Sequence, residues 1–420
     1  MATCVGRSFL PNIWKNGVKN LNCRVVIVRC KSSATKEAKI DEEVLAKNIP
    51  GSEPGKVQAA ILKKISSPLI IENIELPKNL QPNEVLISVH YCAVNPSDFL
   101  LSKDDYICEP ILPKILGHEI VGQISQIGEE AEKNGYKIGD KVVALNKEKF
   151  GGLAEKCVAD MNDIWKVPSS IKSIDATCLL DNYITSLMAL ERKVSLEEDE
   201  MVIINVGLSN LGLAAVDIAA NVFRAKVIAV CATEDGAAVV RDKGAYESLK
   251  FNDKKLLKSI KEIAGDREIK AIFDGEAGEY FKKIIKSFTD IYNNGNLSLK
   301  NMLRDDNFGI VVQHLSREGR VVVAGTAATM DNAHAHVQNG SFTVTGFNLA
   351  DYKIRKPEVY REAGDNVLQF LEEGLVTPSY SLTTGFYNIN EAFGHFNDMT
   401  TFKKAVIDIR NKNAPTEVKK

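Results

Sequence analysis

No stretch of this sequence approaches twenty unbroken apolar residues, so it offers no helix suited to span a bilayer. Its eight cysteines include no C-x-x-C pair and are scattered along the chain, which excludes a disulfide framework and suits a reducing compartment. The formal net charge is only −2, and beyond the first 36 residues the balance is mildly acidic, so no nucleic-acid binding is expected. Those first 36 residues lack acids altogether. They carry Arg7, Lys15, Lys19, Arg24, Arg29, Lys31 and Lys36 among serines and apolar residues. That is the composition of a mitochondrial targeting peptide, and it predicts a matrix location, with RCKSS near residue 30 as the processing region.

With 420 residues, 45% of them apolar, the chain can bury a large core and suggests two domains or more. Residues 37–55, with IPGSEPG, read as a linker. From 56 to 175 the pattern is short strands and turns, giving a β-rich domain: EVLISVHYCAV, IVGQISQIG, GDKVVALN and GLAEKCVAD. Near Ala176 the rhythm changes. Over 176–350 helices and strands alternate: TSLMALERKV, MVIINV, LGLAAVDIAANVF, AKVIAVC, EDGAAVVRDKG, KKLLKSIKEIAG, AIFDGE, GRVVVAG and SFTVTGF. Such alternation predicts an α/β fold with a doubly wound parallel sheet of Rossmann type. SFTVTGF is apolar enough to suit edge pairing between two subunits. Residues 289–308 interrupt the rhythm and read as a surface insertion. Residues 351–412 contain one clear helix, EVYREAGDNVLQFLEEG, and a strand-rich return ending in KKAVIDI; 413–420 is a tail.

One loop asks a chemical question. INVGLSNLG (204–212) lies between a strand and a helix, where G-x-G-x-x-G would hold a dinucleotide, yet its middle position is Ser209. Gly207 can make the tight turn and Gly212 can let helix pack on strand. Ser209 either crowds the diphosphate or donates to it, while free N–H groups at the helix start still attract phosphate. Leu208, Ser209, Asn210 and Leu211 complete the candidate contacts. The next strand ends in Cys231, Ala232 and Thr233, with no carboxylate to repel a 2′-phosphate, which favours NADPH over NADH.

The stretches NEVLISVHYCAVNPSDFLL, LGHEIVGQISQIG, GDKVVAL, GGLAEKCVADMNDIWKVP, GLAAVDIAANVFRAKVIAV and GRVVVAG resemble the medium-chain dehydrogenase/reductase superfamily. Within it they are most similar to the zinc-free quinone oxidoreductases, in particular the quinone oxidoreductase-like protein 2 group. The resemblance runs from about residue 56 to 410 and omits 289–308. It implies a GroES-like barrel beside the Rossmann domain, a cofactor cleft between them, a homodimer, and NADPH-linked reduction of quinones or other electrophilic carbonyl compounds. By position it adds Gly325, Phe347 and Lys404 to the cofactor contacts.

Zinc-bearing relatives hold their metal at positions that match Asn95, His118 and Asp181, and carry a four-cysteine lobe that has no counterpart in this chain. An Asn and an Asp in place of thiolates make a poor tetrahedral zinc site, so no metal is expected. Chemistry would then run on the nicotinamide, with the protein orienting both partners. The resemblance offers Asn95, Tyr106 and Thr185 as catalytic candidates, with Asp98 as a buttress. NPSD followed by Tyr106 also resembles mitochondrial enoyl thioester reductases, a second reading. A third is a weakly active or non-catalytic nucleotide binder, suggested by Leu208-Ser209-Asn210, by Lys103-Asp104 before Tyr106, and by Lys403 where relatives carry glycine.

Overall fold

The computed structural model describes residues 55–103, 110–250, 256–275, 315–323, 333–337, 340–397, 402 and 404–412. All lie within the unit Ala46–Lys420. The basic leader, Tyr106, the 289–308 insertion, Gly325, Lys403 and the tail fall outside the described residues.

The first group of strands is β1 (Val57–Leu62), β2 (Ile70–Ile74), β3 (Glu84–Val94), β4 (Lys114–Ile115), β5 (Glu119–Ile127), β6 (Lys141–Leu145), β7 (Lys156–Asp160) and β8 (Ile164–Lys166). The second is β9 (Met201–Gly207), β10 (Lys226–Cys231), β11 (Glu247–Lys250), β12 (Ile269–Asp274), β13 (Leu315–Val323), β14 (Ala333–Val337) and β15 (Gly340–Gly346). Two late strands, β16 (Leu382–Gly385) and β17 (Ala405–Asp408), rejoin the first group.

They form three sheets. A small one runs β2-β1-β4, and a larger one runs β16-β17-β3-β5-β6-β8, with β7 also paired to β3. The third runs β11-β10-β9-β12-β13-β15-β14, parallel throughout except where β14 turns back along β15. Apart from β14, that is the 3-2-1-4-5-6 order of a doubly wound dinucleotide fold, whose chain reversal falls between β9 and β12. The fold is thus a Rossmann sheet beside a GroES-like β-rich unit, as expected.

Local sequence explains most elements. All seven residues of β9 are buried, because a central parallel strand is covered on both faces and, Asn205 apart, carries no polar side chain. Strand β3 alternates only in part, with Val85, Leu86 and Ile87 buried in succession, and β5, β7 and β17 all pair with it. Thr233 caps the helix Glu234–Asp242, and Gly244 ends it at φ +91°. One expectation fails: SFTVTGF is not an edge. As β15 it lies between β13 and β14, and AHAHV (β14) takes the outer position.

Two cores result. One gathers Trp165, Tyr183, Phe273, Phe347 and Tyr360 around the parallel sheet; the other gathers Leu62, Ile87, Leu116, Ile120 and Phe386 in the β-rich unit. Cys92, Cys157, Cys178 and Cys231 are free thiols buried in these interiors. Among the described residues no helix is long and apolar enough to cross a membrane.

Candidate active site

At the reversal point Gly207 turns the chain with φ +53°. A Cβ on Gly212 would stand 2.6 Å from Val206 Cα, so glycine lets the helix Asn210–Asp217 press against β9. Ser209 is the N-cap of that helix. Its Oγ accepts from the N–H groups of Leu211 (3.1 Å) and Gly212 (3.4 Å), two donors that a bound phosphate would use. The serine thus stands in, internally, for an anion. Leu208 is buried, and the Leu211 carbonyl accepts from Ser186 Oγ at 3.3 Å, tying the loop to the helix Leu180–Ala189.

Asn210 differs from its neighbours. It is 7% exposed, and both its Oδ1 and Nδ2 are buried with no hydrogen-bond partner among the described residues. An orphaned amide of this kind costs about 1–3 kcal/mol. In the first turn of the helix, its Cβ tilts back toward the loop mouth. Beside it, Asn205 Nδ2 donates to Asp274 Oδ1 at 2.8 Å and joins β9 to β12 across the reversal. A left-handed glycine turn, a helix start and an unsatisfied amide together fit a dinucleotide.

At the end of β10 the candidates separate. The Cys231 side chain is fully buried, and burial pushes its thiol up to about 12, so it offers no charge. Thr233 Oγ1 accepts from the Gly236 N–H at 3.1 Å. Two residues that the linear reading missed lie close by. The parallel register sets exposed Lys250 of β11 opposite Cys231, a cation beside the strand end. The Phe402 ring reaches within 3.4 Å of where a Gly236 Cβ would be, over the start of that helix, whose Glu234 and Asp235 are exposed. Phe347 is 2% exposed and stacks on Tyr352 at 5.2 Å, which makes it core rather than cleft wall.

Between the two sheets lies a cluster of charge. Asn95 precedes the helix Pro96–Lys103 and is 2% exposed. Its N–H donates to Asp98 Oδ2 (2.9 Å), and Asp98 Oδ1 accepts from the Gly117 N–H (2.8 Å), so Asp98 pins both loops. The Asn95 amide nitrogen donates to Glu119 Oε2 (3.2 Å) and stands 3.4 Å from His118 Nε2. His118 Nε2 in turn is 3.2 Å from Asp181 Oδ2, and Asp181 Oδ1 holds Lys147 Nζ at 2.5 Å. Lys404, fully buried, donates to Glu119 Oε2 (2.7 Å) and to the Cys178 carbonyl (3.3 Å). Asn95, His118 and Asp181 therefore converge, while Lys404 is engaged inside the protein. Thr185 sits one turn beyond Asp181 on the same helix and is 7% exposed.

The contacts decide the state of His118. Its Nδ1 is 3.5 Å from Asp98 Oδ2, at ion-pair distance but outside hydrogen-bond alignment. Nε2 faces Asp181. A neutral ring would turn one lone pair toward a carboxylate, whereas an imidazolium presents a proton to each. Burial pulls the imidazole down, but the Asp98 carboxylate and then Asp181 reverse this and lift it to about 9. Burial raises the Asp181 carboxyl, and Lys147 and His118 outweigh that and hold it well below the usual range. Among the described residues no group of three His, Cys, Asp or Glu side chains is disposed to hold a metal ion.

Residues 81–169 match the alcohol dehydrogenase GroES-like domain. Quinone oxidoreductase-like protein 2 of Mus musculus is 26% identical over 357 residues, covering 84% of this chain and 92% of that protein. The chain is thus similar to quinone oxidoreductase-like members of the medium-chain dehydrogenase/reductase superfamily and shares their fold. The quinone oxidoreductase-like protein 2 homolog of Nematostella vectensis is 28% identical over 354 residues, 84% of this chain and 89% of the other. The quinone oxidoreductase of Escherichia coli, solved in complex with NADPH, superposes with a TM-score of 0.66 at 18% identity, over 84% of this chain and 99% of that one.

Proposed function

We propose that this chain is a nicotinamide-dependent reductase, preferring NADPH, that reduces quinones or related electrophilic carbonyl compounds without a metal. The orphaned Asn210 amide in the glycine-flanked loop carries the cofactor reading, since a dinucleotide there would satisfy it. Gly207, Asn210 and the N–H groups of Leu211 and Gly212 would hold the diphosphate. Lys250 would meet a 2′-phosphate. When bound, the nicotinamide supplies a hydride to the acceptor carbon, the acceptor's π pair ends on oxygen, and a proton from water completes the product. The quinone class follows from similarity to proteins named quinone oxidoreductase-like. The metal-free reading is supported by the donor set, in which the His118, Asp181 and Glu119 side chains are already bound to Lys147, Lys404 and one another. The acid-free leader supports a mitochondrial matrix location.

Fluorescence titration with NADPH and NADH, followed by ortho- and para-quinones with and without chelator, tests the reading. NADPH should bind more tightly, and Lys250→Met should cut that affinity roughly tenfold while leaving NADH binding unchanged. A Lys250→Met chain with the original preference would remove Lys250 from the cofactor site. Ser209→Gly takes away the internal acceptor on Leu211 and Gly212. It should tighten NADPH binding about 3–10-fold, the worth of one ordinary hydrogen bond, while costing the helix little. Weaker binding in that variant would show instead that the serine contacts phosphate.

A further inference from the structure

The start of the helix Asn210–Asp217 is pressed from two sides. On one side lies β9, where a Cβ on Gly212 would stand 2.6 Å from Val206 Cα. On the other lies Gly275, the buried residue that follows β12. A Cβ on Gly275 would come within 2.6 Å of Gly212 N, 2.7 Å of Gly212 Cα and 3.3 Å of the Leu211 carbonyl carbon. These are main-chain atoms, so no change of rotamer could relieve the contact. Non-bonded heavy atoms settle about 3.5–4.0 Å apart, so a side chain at this position would push the helix start away by roughly 1 Å. Gly275 has no positive φ, so it is the close approach, and not the backbone conformation, that calls for glycine.

Both partners in this contact are held by β9. Gly275 N–H donates to the Asn205 carbonyl at 3.1 Å, and the preceding Asp274 accepts from Asn205 Nδ2 at 2.8 Å. Ser209 N–H donates to the Val206 carbonyl at 2.8 Å, and its Oγ accepts from the N–H groups of Leu211 and Gly212. Those two N–H groups stand at the ends of β9 and β12, where the chain order reverses and a doubly wound fold receives its ligand. Their position is therefore set by Val206 on one side and by Gly275 on the other.

From these contacts we infer that Gly275 is a positioning residue of the phosphate loop. Its lack of a side chain lets the end of β12 lie directly against the helix start and fixes where the N–H groups of Leu211 and Gly212 stand. A hydrogen bond to a phosphate oxygen weakens steeply with misalignment, so a displacement of the donors would be felt in binding. The glycine that completes the packing of this loop thus lies outside the G-x-G-x-x-G pattern, on the neighbouring strand. Its meaning for cofactor binding rests on the reductase reading, whereas the placement of the helix start can be tested without nucleotide.

Full-length Gly275→Ala, Ser209→Ala, their double variant and Val367→Ala are compared with wild type in sucrose, which favours the compact state. Gly275→Ala should weaken NADPH and NADH about tenfold each, as expected for a misplaced hydrogen bond to a charged group. The ratio of the two affinities should not change, because both nucleotides carry the diphosphate. Val367→Ala opens a cavity under the helix Pro357–Glu372 in the same core. It should lower the urea midpoint and leave both affinities as they are. Without nucleotide, Ser209→Ala should lower the urea midpoint of wild type but hardly that of Gly275→Ala, whose displaced amides no longer reach the cap. Undiminished affinity in Gly275→Ala, or an additive effect of Ser209→Ala, overturns the inference while leaving the reductase reading intact. An equal loss of affinity in Val367→Ala also overturns it, by tracing the loss to stability alone. So does a Gly275→Ala chain that does not fold in sucrose, since glycine would then be required by the fold and not by the loop. Non-additive midpoints in a protein that binds neither nucleotide uphold the placement and sink the reductase reading instead.

Discussion

Replacing Lys404 with methionine is expected to lower the stability of the folded chain by about 3–5 kcal/mol, the cost of leaving a buried charge without its partner. Glu119 and Lys404 are both 0% exposed and 2.7 Å apart. With the ammonium gone, Glu119 keeps, among the described residues, the Asp181 N–H at 3.1 Å and the Asn95 amide at 3.2 Å, two neutral donors for an ionised carboxylate away from water. The pair also joins distant segments, since Glu119 opens β5 and Lys404 directly precedes β17. Urea unfolding should show a lower midpoint at unchanged slope. The double variant Lys404→Met/Glu119→Gln removes both charges and should recover much of the loss. If the double variant is as unstable as the single, lost packing rather than uncompensated charge is the cause.

Stability should also fall as the pH rises from about 6.5 to about 9, by about 3 kcal/mol in total. His118 carries the effect. Its imidazole is lifted from the ordinary 6.5 to about 9 in the folded chain, because Asp98 and Asp181 outweigh the burial that opposes charging. Below 6.5 both folded and unfolded chains hold the proton and the contribution is complete. Between the two values only the folded chain holds it, so each further unit of pH weakens the fold. Above about 9 the contribution is gone. Urea midpoints measured from pH 6 to 9.5 at constant ionic strength should trace this decline, and His118→Gln should flatten it. Added salt should change it little, because the ring and Asp98 are wholly buried. A decline that survives in His118→Gln would assign the proton to another group.

Much of the site was legible in the sequence. Gly207, Ser209 and Gly212 stood out because a strand–turn–helix crossover constrains three positions in a short loop. The role of Ser209 was not, since whether a hydroxyl meets a phosphate or its own helix depends on the capping geometry around Leu211 and Gly212. Lys404 matched a cofactor position by resemblance, yet it lies in the interior on Glu119. Lys250 escaped notice because it is nineteen residues from Cys231 along the chain and becomes its neighbour only through parallel pairing. Lys147 sits in the ordinary-looking run NKEKF, whose three charges find three different partners.

By itself the sequence determined the period and length of the strands and helices, the crossover order that forces a parallel sheet, and the glycine turn of the phosphate loop. All of these depend on residues close together in the chain. Only the tertiary structure decided that SFTVTGF is internal, that Asn210 is an orphaned amide and that the Glu119–Lys404 pair lies beside a line of Asp98, His118, Asp181 and Lys147. Burial and charge pairing join segments as far apart as Asn95, Asp181 and Lys404, and the energy of a buried charge is set by what surrounds it.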